Sequence, residues 1–375
     1  MGSLAEQIER LPADVLQRLA SYGFERARLV KLGERLANGQ DDSGVVSGRI
    51  EPPLPGDVTD LPPAASSEHA RFVKLGVDAL RSGSVALVVL AGGMATRMGG
   101  VVKALVEALP GKTFLDLRLG EIRSVERRHG AAPPFWLMTS DATDAPIREA
   151  LGAQLDGQRI ATFTQQLSLR LRPDGSLYLD AAGRPSEHAP GHGDLPDALR
   201  ASGLLEPFLA RGGHTLLLTN LDNLGGTLDP ALIGFHLAHG RPVTAEAVDK
   251  IADDRGGIPV RVDGKLRVLE EFRIPSSFDP ASVRVFNSNV FHVDAKKLRD
   301  LSMEWRFFTV KKKVEGEDVV QFERILNEIT DVLETRYLRV PRTGAESRFL
   351  PVKDNAELER RRPEIELVAR ARGML

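Results

Sequence analysis

The sequence predicts an α/β fold in which a mainly parallel sheet is flanked by helices. Three apolar runs are typical of strands buried on both faces, at residues 84–90, 135–139 and 215–219. Helical patterns lie between these runs, near residues 114–128, 143–153 and 194–210. Strands that alternate with helices at this spacing indicate a parallel, doubly wound sheet, because each helix returns the chain to the same end of the sheet.

A second group of strand patterns follows residue 242. Asp263-Gly264 suits a tight hairpin turn, and strand patterns flank it at 260–262 and 265–270. The segment 283–293 is a further strand pattern. We expect these strands to lie beside the parallel sheet and to form a substrate-binding subregion.

The remaining segments suggest how the chain is organised. Residues 1–39 repeat apolar residues at helical spacing, which predicts helices that pack on the main domain and act in stability rather than chemistry. Residues 41–66 are rich in Gly, Pro, Ser and Asp and are predicted to be a linker or an irregular crossing loop. Helical patterns return over 314–338 and 354–375. The predicted divisions are an N-terminal helical segment with its linker, a main domain and a short helical tail, at 1–66, 67–355 and 356–375.

Composition limits the partners of the chain. Its 375 residues include 50 Lys and Arg against 52 Asp and Glu, a net charge of -2 that gives no general attraction to nucleic acid or anionic membranes. The absence of cysteine excludes disulfides, a thiolate nucleophile and cysteine-ligated zinc. Neither a signal-peptide pattern nor an apolar stretch long enough for a membrane span is present, so we expect a cytoplasmic protein.

The segment 90–100, LAGGMATRMGG, directly follows a predicted buried strand. Ligands of open parallel sheets bind at the carboxyl ends of the strands. Gly92 and Gly93 allow backbone N–H groups to approach a phosphate or a base, and Arg97 and Lys103 place two cations just beyond. The loop has neither the Gly-Lys-Ser/Thr ending of a Walker loop nor the Gly-x-Gly-x-x-Gly spacing of dinucleotide-binding proteins. An NAD-dependent dehydrogenase is therefore disfavoured.

Three further segments carry candidate binding residues. Asp222 follows the third apolar run and can hold a divalent cation that bridges phosphates, while Asn223 is either functional or a turn former. His192 lies between two glycines, although a lone histidine is more often structural. Asn287 and Asn289 occupy alternate positions of a predicted strand, so both amides face one side and can bind sugar hydroxyls.

Taken together, these motifs resemble those of the eukaryotic-type UDP-glucose pyrophosphorylase family. The matching segments run in the family's order from about residue 85 to about residue 355: LAGGMATRMGG with a following lysine, PGHGD, TNLDNLGGTLD, GGIPVRVDGKLRVLEE, VFNSN and SRFLPVK. The resemblance implies a GT-A-like, Rossmann-type mixed sheet flanked by helices, and it implies Mg²⁺ as the cofactor.

The resemblance also implies roles for individual residues. Cations at phosphate positions are Lys103, Lys353 and Lys250; the glycine-loop pattern adds Arg97, which we expect to act on the phosphates with Lys103 and Lys353. Residues that meet the nucleotide are Ala91, Gly92, Gly93, Gln165, Gly191, His192 and Asp222, of which Gln165 reads uracil and Asp222 lies near the metal. Residues that line the sugar are Glu246, Gly257 and Asn287, to which the strand pattern adds Asn289.

Two departures from the family pattern limit what the resemblance implies. The family usually has Gly where Ala95 stands, which predicts a shifted backbone beside the phosphates. Eukaryotic members continue past the SRFLPVK segment into a C-terminal β-helix used for assembly, and this sequence ends at Leu375, so we expect no β-helix domain. The oligomeric state cannot be taken from the family.

The expected activity is the joining of UTP to glucose 1-phosphate, with release of pyrophosphate and UDP-glucose. No protein nucleophile is needed, because the sugar phosphate already carries an anionic oxygen and requires only alignment and cations. An amide such as Gln165 satisfies both groups on one edge of uracil, which predicts UTP over ATP. Two alternatives remain open: a related pyrophosphorylase for other sugars or N-acetylhexosamines, and a catalytically silent nucleotide-binding protein.

Overall fold

The computed structural model describes residues 2–40, 44–95 and 98–375. Its α-helices are α1 (Leu4–Glu9), α2 (Ala13–Ser21), α3 (Arg26–Ala37), α4 (Ser67–Arg81), α5 (Phe114–His129), α6 (Asp141–Leu151), α7 (Leu195–Ala201), α8 (Leu205–Ala210), α9 (Pro230–His239), α10 (Ala295–Arg299), α11 (Ile329–Val332) and α12 (Asn355–Arg372). The first strands are β1 (Ile50–Glu51), β2 (Val58–Asp60), β3 (Val85–Leu90), β4 (Met94–Ala95), β5 (Val101–Val102), β6 (Glu107–Leu109), β7 (Lys112–Thr113), β8 (Phe135–Thr139), β9 (Ile160–Thr164) and β10 (Ser168–Leu169). The others are β11 (Glu187–His188), β12 (Thr215–Asn220), β13 (Val243–Asp249), β14 (Gly257–Val262), β15 (Lys265–Glu270), β16 (Val285–Asp294), β17 (Phe308–Val314), β18 (Glu317–Glu323) and β19 (Thr335–Arg339).

A mixed eight-stranded sheet forms the centre of the molecule, in the order β2-β19-β13-β16-β12-β3-β8-β9. All of its pairings are parallel except those of β16, which runs antiparallel to both β12 and β13. The three apolar runs are adjacent strands, β12, β3 and β8. The predicted α/β class and mixed sheet are confirmed. Because β12, β3 and β8 are parallel, their carboxyl ends meet at one edge of the sheet.

Both faces of this sheet are covered, which explains the continuous apolar runs. In β3, Val85, Leu87 and Val89 belong to one buried cluster together with residues of α4, α5 and α12. Ala86 and Val88 belong to the opposite cluster, with residues of α7, α8 and α10. A strand buried on both faces has no position at which a polar residue can face water, so the run stays apolar.

The predicted N-terminal helices, the hairpin at Asp263-Gly264 and the C-terminal helix are also confirmed. The helices α1 to α3 form a separate apolar cluster with residues around β10 and β18, so their packing role is confirmed as well. None of the helices that the structure describes is long and apolar enough to cross a membrane.

Two predictions of secondary structure are wrong. The segment 41–66, predicted as a linker, contains β1 and β2, and β2 forms an edge of the central sheet. The segment 314–338, predicted as helical, contains the end of a hairpin (β17 and β18), the short α11 and the sheet strand β19. The hairpin turns at Glu315-Gly316, where both residues have positive φ, and burial at 319–322 is continuous along β18 rather than helically spaced.

Candidate active site

Two adjoining cavities open at the carboxyl ends of the central strands. The glycine-loop cavity has a volume of about 660 Å³ and is lined by Ala91–Gly93 and by residues that follow β8, β9 and β12. The amide cavity has a volume of about 360 Å³ and is lined by Asn287, Asn289 and Asn327. His192 and Asn220 line both cavities, so the two form one continuous site.

The glycine loop is held from below by the start of α6. Ser140 Oγ donates to Gly92 O at 3.0 Å, and Thr143 Oγ1 donates to Ala91 O at 3.1 Å. A Cβ on Gly92 would lie 2.6 Å from Gln165 Nε2, so the missing side chain makes room for that amide. A Cβ on Gly93 would meet nothing within 4 Å, which leaves its backbone open to a ligand.

Two further residues of this loop, Arg97 and Ala95, were singled out from the sequence. Arg97, predicted to act on the phosphates, lies outside the described residues. Ala95, where the family has glycine, is buried in β4, which pairs with β5 beside the loop.

Lys103 and Asp222 lie together in the glycine-loop cavity. Lys103 Nζ donates to Asp222 Oδ2 at 2.8 Å, and the same oxygen accepts from Val352 N at 2.9 Å. The carboxylate thus connects the cation after the glycine loop with the segment that leads to Lys353. A polyanionic ligand would compete with Asp222 for Lys103, because a phosphate oxygen can replace the carboxylate oxygen as the acceptor of the lysine's hydrogen bond.

The loop after β12 is fixed by Arg118, which the sequence analysis did not single out, and by Asn223, which it left open between a functional residue and a turn former. Arg118 is fully buried on α5 and donates to the carbonyls of Asn220, Asn223 and Gly226. Asn223 donates to Arg348 O and accepts from Leu350 N, so it is structural. The sequence offered one signal for this role, since Arg118 is a charged residue within the predicted 114–128 helix.

The PGHGD loop owes its glycines to protein packing. A Cβ on Gly191 or Gly193 would lie 2.7 Å from the backbone of Arg324, so the close approach inferred for a ligand is made by another chain segment. His192 Nδ1 accepts from Leu326 N at 2.9 Å, which leaves the proton on Nε2. Burial lowers the pKa of His192 to about 4, so the ring is neutral at physiological pH.

The amide cavity collects side chains from several strands. Asn287 Oδ1 and Asn289 Oδ1 are both buried and have no hydrogen-bond partner within the described chain. Asn289 Nδ2 donates to Asn220 Oδ1 at 3.0 Å, which connects this cavity to the end of β12. Glu270 also lines the cavity and accepts from Asn327; burial raises the pKa of its carboxyl to about 7. Buried acceptors without donors are what a ligand rich in hydroxyl groups would satisfy.

The open side of the amide cavity is formed by the chain's last segments. Lys353, predicted to act on phosphates, lines this cavity together with Gly257 and residues from the start of α12. Its exposed side chain is positioned by the backbone, because Lys353 N donates to Glu357 Oε2 at 2.8 Å. Lys353 therefore lies on the predicted sugar side, and Lys103 on the predicted nucleotide side.

Two predicted ligand residues lie elsewhere. Glu246 is fully buried beneath the amide cavity, where its carboxylate accepts two hydrogen bonds from Arg348 and one from His292. Burial alone would raise the pKa of Glu246, but Arg348 and His292 hold it at about 2. Lys250 follows β13 and lines neither cavity; its Nζ donates to Pro280 O at 2.7 Å in a neighbouring cavity that shares Ile251 and Arg255 with the amide cavity.

The residues present fit a magnesium ion only as partial ligands. Among the residues that the structure describes, no group of three His, Cys, Asp or Glu side chains can hold a metal. Asp222 supplies one carboxylate at the phosphate end of the cavity. Mg²⁺ commonly binds through one or two carboxylates and takes its other ligands from substrate phosphates and water. The donor set therefore fits an ion that enters with a polyphosphate.

Comparison with known proteins agrees with this architecture. The chain is 32% identical over 297 residues to a probable UTP–glucose-1-phosphate uridylyltransferase of Schizosaccharomyces pombe, covering 73% of this chain and 58% of that protein. It is 30% identical over 304 residues to the UTP–glucose-1-phosphate uridylyltransferase of Hordeum vulgare, covering 75% and 63%. The chain thus spans about three-fifths of the length of these curated relatives.

Solved structures with the same fold include enzymes for two different sugars. A UDP-glucose pyrophosphorylase mutant of Leishmania major in complex with UDP-glucose matches with a TM-score of 0.74 at 22% identity, covering 96% of this chain and 78% of that one. A UDP-N-acetylglucosamine pyrophosphorylase of Trypanosoma brucei matches with a TM-score of 0.72 at 20% identity, covering 96% and 84%.

The family match extends over more of the chain than the matches to the two curated relatives. The profile that describes UTP–glucose-1-phosphate uridylyltransferases matches residues 34–361, which include both cavities and every described residue singled out from the motifs. We conclude that the chain belongs to the UTP–glucose-1-phosphate uridylyltransferase family.

Proposed function

We propose that the chain transfers the uridylyl group of UTP to a hexose 1-phosphate, with glucose 1-phosphate as the expected acceptor. An oxygen of the sugar phosphate would attack the α-phosphorus of UTP while the bond from that phosphorus to the β-phosphate oxygen breaks. The products are a UDP-sugar and pyrophosphate. The observation that supports this most is the junction at His192 and Asn220, where a glycine-loop cavity meets a cavity with unpaired amide oxygens.

Each side of this junction has a chemical task. In the glycine-loop cavity, the Gln165 side chain makes no hydrogen bond within the described part of the chain and is available to one edge of uracil. Lys103 neutralises phosphate charge once the nucleotide displaces Asp222 from it. In the amide cavity, Asn287 and Asn289 accept from sugar hydroxyls, and Lys353 offers a cation to the sugar phosphate.

His192 serves both substrates from the junction. Its ring is neutral, and its Nδ1 accepts a hydrogen bond from Leu326 N. The proton therefore lies on Nε2, which can donate a hydrogen bond to a substrate without adding positive charge to the site. A fixed neutral donor orients a phosphate oxygen and leaves charge neutralisation to the lysines.

The proposal includes Mg²⁺ held by Asp222 and by phosphate oxygens of the substrates. When bound, the ion would neutralise the polyphosphate and stabilise the departing pyrophosphate. The proposed partners are these small molecules; a cytoplasmic location stays a prediction from sequence.

A matrix of nucleotides and acceptors tests the proposal. UTP, ATP and the other nucleoside triphosphates would each be assayed with glucose 1-phosphate, galactose 1-phosphate and N-acetylglucosamine 1-phosphate, measuring released pyrophosphate. We expect UTP to exceed ATP by about tenfold or more, since a mispaired buried polar group costs about 1–3 kcal/mol. Equal turnover with ATP would contradict the role of Gln165 in reading uracil. Preference for N-acetylglucosamine 1-phosphate would replace glucose 1-phosphate as the assigned acceptor. UTP binding without turnover would indicate a catalytically silent protein.

A further inference from the structure

An ion-pair cluster joins the N-terminal helices to the wall of the glycine-loop cavity. Arg18, on α2, places its Nη2 at 2.7 Å from Asp141 Oδ2 and at 3.1 Å from Glu187 Oε2. Its Nε lies 3.2 Å from the same oxygen of Glu187. One guanidinium therefore holds two carboxylates, and both of those carboxylate residues line the cavity.

The two carboxylates belong to different walls. Asp141 is the first residue of α6 and follows Ser140, which donates to the carbonyl of Gly92 in the glycine loop. Glu187 lies in β11, whose partner β10 follows directly on the segment that contains Gln165. Arg18 is thus a cross-brace between the wall that carries the glycine loop and the wall beside the proposed uracil-reading amide.

A second contact brings α2 to the same place. Leu167 N donates to Tyr22 O, at the end of α2, at 3.2 Å, and Leu167 lines the cavity two residues after Gln165. Leu167 also belongs to the apolar cluster that contains Leu19 of α2. The packing of the N-terminal helices is therefore continuous with the position of the cavity wall.

The charges give this brace a consequence for binding. A nucleoside triphosphate brings several negative charges into a cavity that already contains Asp141 and Glu187. Arg18 compensates part of the negative charge of these two carboxylates. Without it they would repel the phosphates of the nucleotide, and this repulsion is stronger where the charges are partly desolvated. Without Arg18 the two carboxylates would also repel each other and separate the walls that they belong to.

We propose that Arg18 is a positioning residue for the nucleotide: it balances Asp141 and Glu187 and keeps the two walls of the glycine-loop cavity in register. This inference rests on the proposed function, because it takes UTP as the occupant. It assigns the N-terminal helices a role in binding in addition to their role in packing.

The first test compares Arg18→Gln with Arg26→Gln. Arg26 is a matched control, because its side chain is 43% exposed against 42% for Arg18, and it pairs with Glu9 at 2.6 Å within the same N-terminal segment. UTP binding would be measured by calorimetry on the full chain, with steady-state KM and kcat beside it. We expect R18Q to raise the Kd and KM for UTP about tenfold while kcat changes less than about twofold, and R26Q to leave both constants unchanged.

The second test separates charge balance from loss of structure. Glu187→Gln in the R18Q background removes the charge that Arg18 compensates, so UTP affinity should return to within about threefold of wild type. Arg18→Lys keeps the charge and should lose less affinity than R18Q, which provides a readout even where R18Q melts at a lower temperature.

Two results would overturn the inference while leaving the proposed function intact. One is an equal Kd for UTP in the wild-type chain and in folded R18Q. The other is a Kd for UTP in the double variant that is no lower than in R18Q. A wild-type chain that binds no UTP would overturn the proposed function, and this inference with it.

Discussion

The glycine-loop cavity and the amide cavity share two residues but are built in different ways. The first is built around loops at the ends of the parallel strands β3, β8, β9 and β12, and residues near β10 and β11 and of the β17–β18 hairpin complete its wall. The cations that line it are Lys103, Arg170 and Lys312. The second is lined by Gly257 of β14, by side chains of β15 and β16, and by the segment before α12 with the start of that helix. Both cavities therefore draw on residues distant in sequence, but the first is built around loops at strand ends and the second around side chains of neighbouring strands.

This difference predicts how each cavity responds to substitution. A loop fixed by strand ends keeps its shape when one side chain is changed, so substitutions there should affect chemistry more than folding. A cavity assembled from distant segments depends on the buried contacts that join them, so substitutions beneath it should affect folding first. The four predictions below test this contrast, beginning with the largest expected effect.

The buried pair Glu246–Arg348 should be the most sensitive point beneath the amide cavity. Arg348 also donates to Thr227 O, so it joins β13 to the loop after β12. Arg348→Met would leave a buried carboxylate without its main partner, which typically costs about 3–5 kcal/mol of unfolding free energy. Urea unfolding measures this loss.

The control for Arg348 is an exposed pair with the same closest distance between nitrogen and oxygen. Arg370 Nη2 lies 2.6 Å from Glu366 Oε1, the distance that also separates Arg348 Nη2 from Glu246 Oε1, but Arg370 is 68% exposed against 1% for Arg348. Arg370→Met should change the unfolding free energy by less than about 0.5 kcal/mol. Similar losses in the two variants would show that burial does not set the cost.

Lys103 should dominate the chemistry of the glycine-loop cavity. Lys103→Ala removes the only cation that the structure places within reach of Asp222 among the described residues, and turnover should fall about 10²-fold or more. The unfolding midpoint should stay close to that of wild type, because the lysine is partly exposed. Pyrophosphate release by the folded variant measures the effect.

Lys250 provides the matched control for this prediction. The motif comparison placed it near the phosphates, whereas its Nζ donates to Pro280 O and the residue lines neither cavity. Lys250→Ala should therefore retain turnover within about threefold of wild type. A loss as large as that of K103A would restore Lys250 to the active site and contradict the observed geometry.

Asn287 should separate the two substrates kinetically. Its Oδ1 is buried without a partner, and its Nδ2 makes only a long contact of 3.4 Å to Asn327, so Asn287→Ala removes a ligand acceptor at little structural cost. We expect the KM for the sugar 1-phosphate to rise about tenfold, equivalent to one lost hydrogen bond to a hydroxyl. The KM for UTP is the internal control, and an equal rise in both would mean that the cavities are not separable.

The same contrast decides what the sequence could predict. The glycine loop, Lys103, Asp222 and His192 are local features beside apolar strands, so their positions follow from the alternation of strands and helices. The fold class follows from the same pattern. The hairpin of β17 and β18 was missed because its apolar residues were assigned a helical period, although Glu315-Gly316 was an available turn signal.

The misplaced residue Glu246 shows why the amide cavity was harder to predict. Its role came from the resemblance alone, which does not show that Arg348 and His292 bind its carboxylate. A bulge in β16 lies opposite, between Asn287 and Val290, so the simple alternation assumed for Asn287 and Asn289 does not hold there. Glu270 was missed for a related reason: it reaches the cavity only because Gly257, opposite it in the hairpin, leaves space at that position. Neither a bulge nor a cross-strand vacancy is visible in a local pattern.

The smallest expected effect distinguishes the cavities by pH. Burial raises the pKa of Glu270 to about 7, whereas that of His192 is lowered to about 4. Between pH 6 and pH 8 the Glu270 carboxyl therefore changes from mostly neutral to mostly anionic, while His192 stays neutral throughout. An anion at Glu270 repels the phosphate of the incoming sugar, so the KM for the sugar 1-phosphate should rise with pH and the KM for UTP should not follow it.

Glu270→Gln isolates this effect, because glutamine has the shape and the neutral charge of the protonated acid at every pH. The sugar phosphate itself titrates near pH 6, so the informative quantity is the ratio of the wild-type KM to the E270Q KM at each pH. Titration of one nearby carboxyl should raise that ratio by about threefold between pH 6 and pH 8, with half of the change near pH 7. A ratio that stays flat would mean that Glu270 keeps one protonation state across this range, and the pH contrast between the two cavities would then be lost.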